Sequence, residues 1–172
     1  MALTLPGHSA PAVGFEVPLE MLAACHGRVQ HQCETLHRLL AHLKDHGADR
    51  PAQEAARAVM RYFDTAARHH HEDEEKDLFP ALLESMAGSD AVCLHELIAA
   101  LCNDHRALER HWQLVRVALL QVQEGQGSTL ADTDVPIFID RYAQHIAREE
   151  AELLPMAARL ISAEELDRIG RN

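Results

Sequence analysis

Six residues of this chain have side chains suited to holding a metal: His26, His70, Glu74, His105, His145 and Glu149. Each interrupts a stripe of apolar residues, where a buried imidazole or carboxylate needs a strong partner. Four imidazoles and two carboxylates suit a pair of first-row transition metals, because imidazole favours iron, zinc, copper or nickel and a carboxylate can bridge two ions. Calcium is a poor match. If each metal took two histidines and shared both glutamates with a bridging oxygen, one coordination position on each would stay open to a small ligand.

The spacing places these residues on helices. In the first segment Leu19, Leu22, His26, Val29, Cys33, Leu36, Leu40 and Leu43 recur in steps of three and four, so they share one helical face. The third segment repeats the pattern with Leu94, Ile98, Leu101, His105, Leu108, Trp112, Val115, Leu119 and Val122. The second stripe is Val59, Phe63, Ala66, His70, Glu74 and Leu78; the fourth is Val135, Phe138, Tyr142, His145, Glu149, Leu153, Met156 and Leu160. Both contain His-x-x-x-Glu, and residues four apart project together from one face, which is a chelating geometry.

Breakers divide the chain at Gly47 to Pro51, at Gly88 to Asp90 and in the polar loop holding Gly125, Gly127 and Ser128. No alternating run rich in β-branched residues signals a strand. The expected fold is therefore all-α: an up-down-up-down antiparallel four-helix bundle over about residues 18–160, within a single domain spanning 1–172. An irregular arm, Met1 to Val17, precedes it, and a short fifth helix runs from Ser162, which with Glu165 resembles a capping box, to about Ile169. His26 and His70 lie nearly equal distances from the turn that joins their helices, as do His70 and His105, so antiparallel neighbours keep them level. The last turn fits less well, and the loop from Gly125 to Thr133 has to cover the extra length of the third helix.

The halves echo one another. His70, Glu74, Glu75, Leu78 and Pro80 have the same offsets as His145, Glu149, Glu150, Leu153 and Pro155. That repeat suggests a duplicated helical hairpin with a binuclear site on its pseudo-twofold axis.

At 172 residues the chain suits one domain that buries a core without staples. A formal charge of −11, with basic residues scattered, disfavours a nucleic-acid partner. No stretch approaches the length of a membrane span and no leader pattern is present, so a membrane partner and export lack support. Cys25, Cys33, Cys93 and Cys102 form no C-x-x-C pair and are expected to be reduced and buried, in a cytoplasmic protein.

Cys25-His26, His70 to Glu75 followed by Leu78-Phe79-Pro80, Asp104-His105, and His145 to Glu150 followed by Leu153-Leu154-Pro155 resemble the hemerythrin-like, or HHE cation-binding, family. The resemblance covers about Pro18 to Leu160. It implies a four-helix bundle around two iron ions, oxo- or hydroxo-bridged, and a protein that binds or senses a small diatomic ligand (O2, NO) or iron. The alternatives it implies are a di-iron enzyme reducing NO or peroxide, and a metal-dependent sensor read by a partner protein; a homodimer is left open. Oxygen-carrying hemerythrins have a further histidine four residues after the third-helix ligand, where this chain has Glu109, and a carboxylate five residues after the last histidine, where it has Glu150. On an ideal helix Glu149 lies about 40° and Glu150 about 140° from His145, which selects Glu149 as the ligand. Glu109 reads better as a surface residue than as an extra ligand. A ferritin-type centre needs Glu-x-x-His, which this order of residues does not supply, and no H-E-x-x-H helix occurs.

The plainer readings apply elsewhere. A single histidine in an apolar stripe is more often a satisfied core residue than a ligand; six polar groups at one level reverse that, because two buried glutamates would otherwise lack counter-charge. His69 and His71 are expected to point away from the site or to support it from behind, and Glu72, Asp73, Glu75 and Asp77 to form a solvated acidic face. Tyr62 and Tyr142 fall on the ligand side of their helices, where core packing is the simpler role. Cys25 and Cys102 lie near ligands and read as inert packing.

Overall fold

The computed structural model describes residues 18–86, 91–126, 130 and 134–170. The expected N-terminal arm lies outside these residues, as does part of the Gly125 to Thr133 loop. Among the described residues there are helices and turns and no strand. Helix α1 (Pro18–His46) forms the first rod. The second is built from α2 (Arg50–Asp64), α3 (Ala66–Asp73), a π-helical turn (Glu74–Leu78) and α4 (Phe79–Ser85). Helix α5 (Ala91–Gln123) is the third, and the fourth joins α6 (Asp134–Arg148), a second π-helical turn (Glu149–Leu153) and α7 (Leu154–Leu160). α1 packs on α2 and α6, and α5 packs on the same two, so the rods close into an all-α bundle. The short helix expected at the end is α8 (Ala163–Ile169), which lies against α1; Ser162 caps it by accepting a hydrogen bond from the Glu165 N–H at 3.2 Å.

The first turn shows how local chemistry sets the rods. Gly47 adopts φ +66°, a conformation costly for residues with a Cβ, and its N–H donates to the Leu43 carbonyl at 3.0 Å. Asp49 then accepts from the Ala52 N–H at 3.0 Å and contacts His42 Nε2 at 2.8 Å, and Pro51 occupies the first helical turn of α2.

Two of the four rods are interrupted. At Thr65 the backbone leaves helical geometry, its N–H turning to the Tyr62 carbonyl while Oγ1 donates to the Arg61 carbonyl at 2.6 Å. The π-helical turns start at Glu74 and Glu149, six residues before Pro80 and Pro155. A proline has no N–H to offer the carbonyl four residues earlier and its ring crowds that carbonyl. The wider turn relieves this, with the N–H groups of Phe79 and Leu154 donating to the carbonyls of Glu74 and Glu149.

The extra residue of each break alters the buried stripe. Beyond Leu153 the buried positions are Ala157 and Ile161, not the expected Met156 and Leu160, one residue of delay as a π turn requires. Around Thr65 it is Ala67 that is buried while Ala66 is exposed. On the continuous helices the stripe holds, with Leu39 in place of Leu40 and Leu97 in place of Ile98 as the most buried members.

The core has two apolar clusters. One, around Val29, Leu36, Phe63, Trp112 and Phe138, fills the end of the bundle near the first turn; the other, around Leu78, Leu82, Leu101, Leu153 and Ala157, fills the opposite end. Fully burying one such Leu or Phe side chain is worth about 1.5–3 kcal/mol. Between the clusters lies a polar layer, made of the six residues that interrupt the stripes.

Candidate metal centre

All six residues are at most 5% exposed, and they account for every buried polar or charged residue among those described. They come from the four rods: His26 from α1, His70 and Glu74 from the second rod, His105 from α5, His145 and Glu149 from the fourth. The His-x-x-x-Glu spacing places each glutamate at the start of its π turn, so the proline-driven break fixes the direction in which the carboxylate points.

The two carboxylates do the same thing. Glu149 has one oxygen 3.0 Å from His26 Nε2 and the other 3.1 Å from His145 Nε2. Glu74 has one oxygen 3.6 Å from His70 Nε2 and the other 3.2 Å from His105 Nε2. Each glutamate therefore spans two histidines from different rods. These atoms form two overlapping sets, His26–His70–Glu74–Glu149 and Glu74–His105–His145–Glu149, with the donor atoms of each set within 4.8 Å of one another.

Distance alone does not make these contacts hydrogen bonds. Both oxygens of Glu74 and of Glu149, and the Nε2 atoms of His26, His105 and His145, are buried without a hydrogen bond of acceptable angle. Leaving such groups unsatisfied costs about 1–3 kcal/mol each. Donor atoms that converge yet fail to pair with one another fit a site whose common partner is a cation.

Electrostatics agrees with that reading. Burial, followed by the charge of Glu149, pushes the Glu74 carboxyl well above its usual range. Burial acts on Glu149 in the same direction, but the contacts from His145 and His26 outweigh it and hold Glu149 below the usual carboxylate range. Burial lowers His70 to about 4, whereas for His26 the burial penalty is overcome by Glu149 and Glu150 and the pKa rises. Glu74 and His70 are thus pushed toward their neutral forms and Glu149 and His26 toward their charged ones, and cations among the shared oxygens would favour ionised carboxylates at both glutamates.

Behind the donors stands a further layer of carboxylates. Glu150 Oε1 lies 3.1 Å from His26 Nδ1, and Glu75 Oε1 lies 2.8 Å from His105 Nδ1. His145 Nδ1 has Asp104 at 3.9 Å, itself held by Arg148. A carboxylate on the far nitrogen fixes the ring's orientation and tautomer and raises its basicity toward a metal. Glu75 was expected on a solvated face. It is half-buried instead, because the π turn beginning at Glu74 swings the next side chain toward α5. The same turn on the fourth rod gives Glu150 its place beside His26, so the repeated Glu-Glu doublet works as one inward and one supporting carboxylate.

Other expectations divide. His71, expected away from the site or behind it, turns inward: its ring stacks on His105 with centroids 4.0 Å apart and planes 10° from parallel. Burial holds its pKa well below the ordinary histidine value. Glu109 is exposed and accepts from Gln113 at 3.1 Å. Tyr142 packs among Phe63, Phe138 and His145, with its phenol pushed up by burial; Tyr62 is half-buried against Phe63. All four cysteines are free, but only Cys33 is buried, its thiol pushed up to about 12 by burial. Cys93 is exposed because it lies in the first turn of α5, ahead of that helix's first buried residue, Leu94.

Comparison with known proteins points the same way. The model of the hemerythrin HHE cation binding domain matches residues 17–157. An uncharacterized protein of Haemophilus influenzae is 32% identical over 155 residues, covering 90% of this chain and 87% of that protein. Among the described residues no helix is long and apolar enough to cross a membrane.

Proposed function

This chain belongs to the hemerythrin HHE cation-binding family, and from that premise we propose that it is a non-haem di-iron protein that binds or senses a small diatomic ligand or iron. His26 and His70 would hold one metal and His105 and His145 the other, with Glu74 and Glu149 bridging. The reading rests above all on the two carboxylates, each of which faces histidines of both pairs through opposite oxygens. Imidazole and carboxylate donors in this ratio suit iron, though they also accept zinc or manganese.

Two bridged irons would supply reversible redox change and coordination of a small ligand. The chain's own residues set the terms. Glu75 and Glu150 hold the far nitrogens of His105 and His26, which fixes the orientation of those two rings, while Asp104 places a negative charge 3.9 Å from the far nitrogen of His145. The apolar clusters at either end keep bulk water out and lower the local dielectric, which strengthens every charge interaction within the layer.

A cavity of about 210 Å³ reaches the layer from one side, lined by Leu22, Cys25, His70, Glu74, Leu78 and Ile169. It gives a small molecule a route from the surface to His70 and Glu74. We further propose that residues 1–172 form one up-down-up-down domain that works in the cytoplasm, where free thiols such as Cys93 stay reduced.

Glu74→Ala and Glu149→Ala test the assignment. Each should lose iron relative to the wild type when purified without added metal, while far-ultraviolet circular dichroism still reports helix. Full iron occupancy in both variants would sink it. Turnover of nitric oxide or peroxide with an electron donor, as opposed to saturable binding alone, would move the reading to an enzyme.

A further inference from the structure

The six donors leave one inward-facing imidazole unused. His71 follows His70 directly, and with centroids 5.7 Å apart and planes tilted by 40° the two rings have different neighbours: His70 meets His26, while His71 lies against α5. There it stacks on His105 and meets His145 edge-on, with centroids 5.5 Å apart and planes 82° from parallel. One donor nitrogen from each of His71, His105 and His145 lies within 4.8 Å of the other two, the same closeness that defines the two sets containing the glutamates. The Nε2 of His71 is buried and has no hydrogen-bond partner.

A packing role does not account for that nitrogen. An imidazole stacked for shape alone keeps its polar atoms in water or on a partner, since an unsatisfied buried one costs about 1–3 kcal/mol. His71 could have reached water, because it lines an open surface groove together with Arg68, Glu72, Glu75, Lys76 and Arg110. Its Nε2 points inward all the same. His111 also has a buried nitrogen without a partner, but it belongs to no metal-competent set, so burial alone does not select His71.

We propose that His71 is a fifth histidine ligand, completing a three-imidazole set with His105 and His145 at one of the two metal positions. This rests on the di-metal reading above. It makes the positions unequal: His71, His105, His145 and the two shared carboxylates serve one, while His26, His70 and the same carboxylates serve the other. The near-symmetry of the sequence repeat hides this inequality, because the residue matching His71 in the second half is Ile146, which is buried in the apolar cluster.

The test is a crystal structure of the full chain loaded with iron or zinc, together with a chelator competition on His71→Ala and His71→Gln. The expected structure has two metals, with His71 Nε2 within about 2.0–2.3 Å of the one held by His105 and His145. The expected variants bind one metal as the wild type does and the other more than about tenfold more weakly, since even groups that only support a ligand are worth about 10–100-fold. Two bound metals with His71 Nε2 beyond about 3 Å, or both affinities unchanged in the variants, would overturn the proposal and leave the di-metal reading intact. A chain that takes up no metal at the six donors would overturn both. If the variants do not fold, the distance in the wild-type structure decides.

Discussion

Glu75→Ala removes the carboxylate that lies 2.8 Å from His105 Nδ1 without touching any atom of the donor layer. A hydrogen bond with a charged partner is worth about 1.5–3 kcal/mol when water is excluded. The Glu75 side chain is 34% exposed, so screening trims this to about 1.5 kcal/mol. At about 1.4 kcal/mol per decade, the metal beside His105 should bind roughly tenfold more weakly. Glu150 is farther from its histidine, at 3.1 Å, and 51% exposed, so Glu150→Ala should cost only about threefold, from some 0.7 kcal/mol. Competition against a chromophoric chelator resolves these differences, and thermal melts of the metal-free variants separate loss of affinity from loss of fold. Wild-type affinity in Glu75→Ala would refute the supporting role of that carboxylate. Loss of metal in Glu150→Ala as complete as in Glu149→Ala would refute the choice of Glu149 as the bridge.

Three further outcomes follow from other parts of the molecule. Ala157→Leu should destabilise the fold by about 1–3 kcal/mol through overpacking, while Met156→Leu should be nearly neutral; equal effects in denaturant titrations would contradict the register set by the π turn. Asp64 accepts from Trp112 Nε1 at 2.9 Å and pairs with Arg116, tying α2 to α5; Asp64→Ala should cost about 1–2 kcal/mol and shift Trp112 fluorescence with metal content unchanged, and loss of metal instead would mean the two regions are coupled. Metal affinity should fall as pH drops through the raised pKa of His26, because a raised pKa means that the proton competes with the metal up to a higher pH than for an ordinary histidine. A His26→Ala variant that keeps the metal affinity of the wild type, and its dependence on pH, would show that His26 does not bind the metal.

Periodicity made the buried polar layer legible. His26, His70, Glu74, His105, His145 and Glu149 stand where an uninterrupted stripe would have apolar side chains, and α-helical spacing carries them inward whatever the details of packing. Helix boundaries were legible for a similar reason, since Gly47, Asp49, Pro51 and Ser162 act through their own backbone preferences. What failed was the assumption of constant pitch. Pro80 and Pro155 lie at matching offsets from Glu74 and Glu149, and that repeat was the available signal for the π turns, which moved Ala157 inward and brought Glu75 and Glu150 to the rear of His105 and His26. The turn of His71 toward His105 had no such local signal, because it depends on how closely the second rod approaches α5.

Metal content per chain, measured on protein purified without added metal and accompanied by visible spectra before and after reduction and exposure to oxygen, tests the central claim most directly. Two irons per chain, with a charge-transfer band that changes on reduction and on exposure to oxygen, is the predicted result. Zinc, or no metal and no band, in protein whose helices are intact would contradict a di-iron centre that responds to a small ligand.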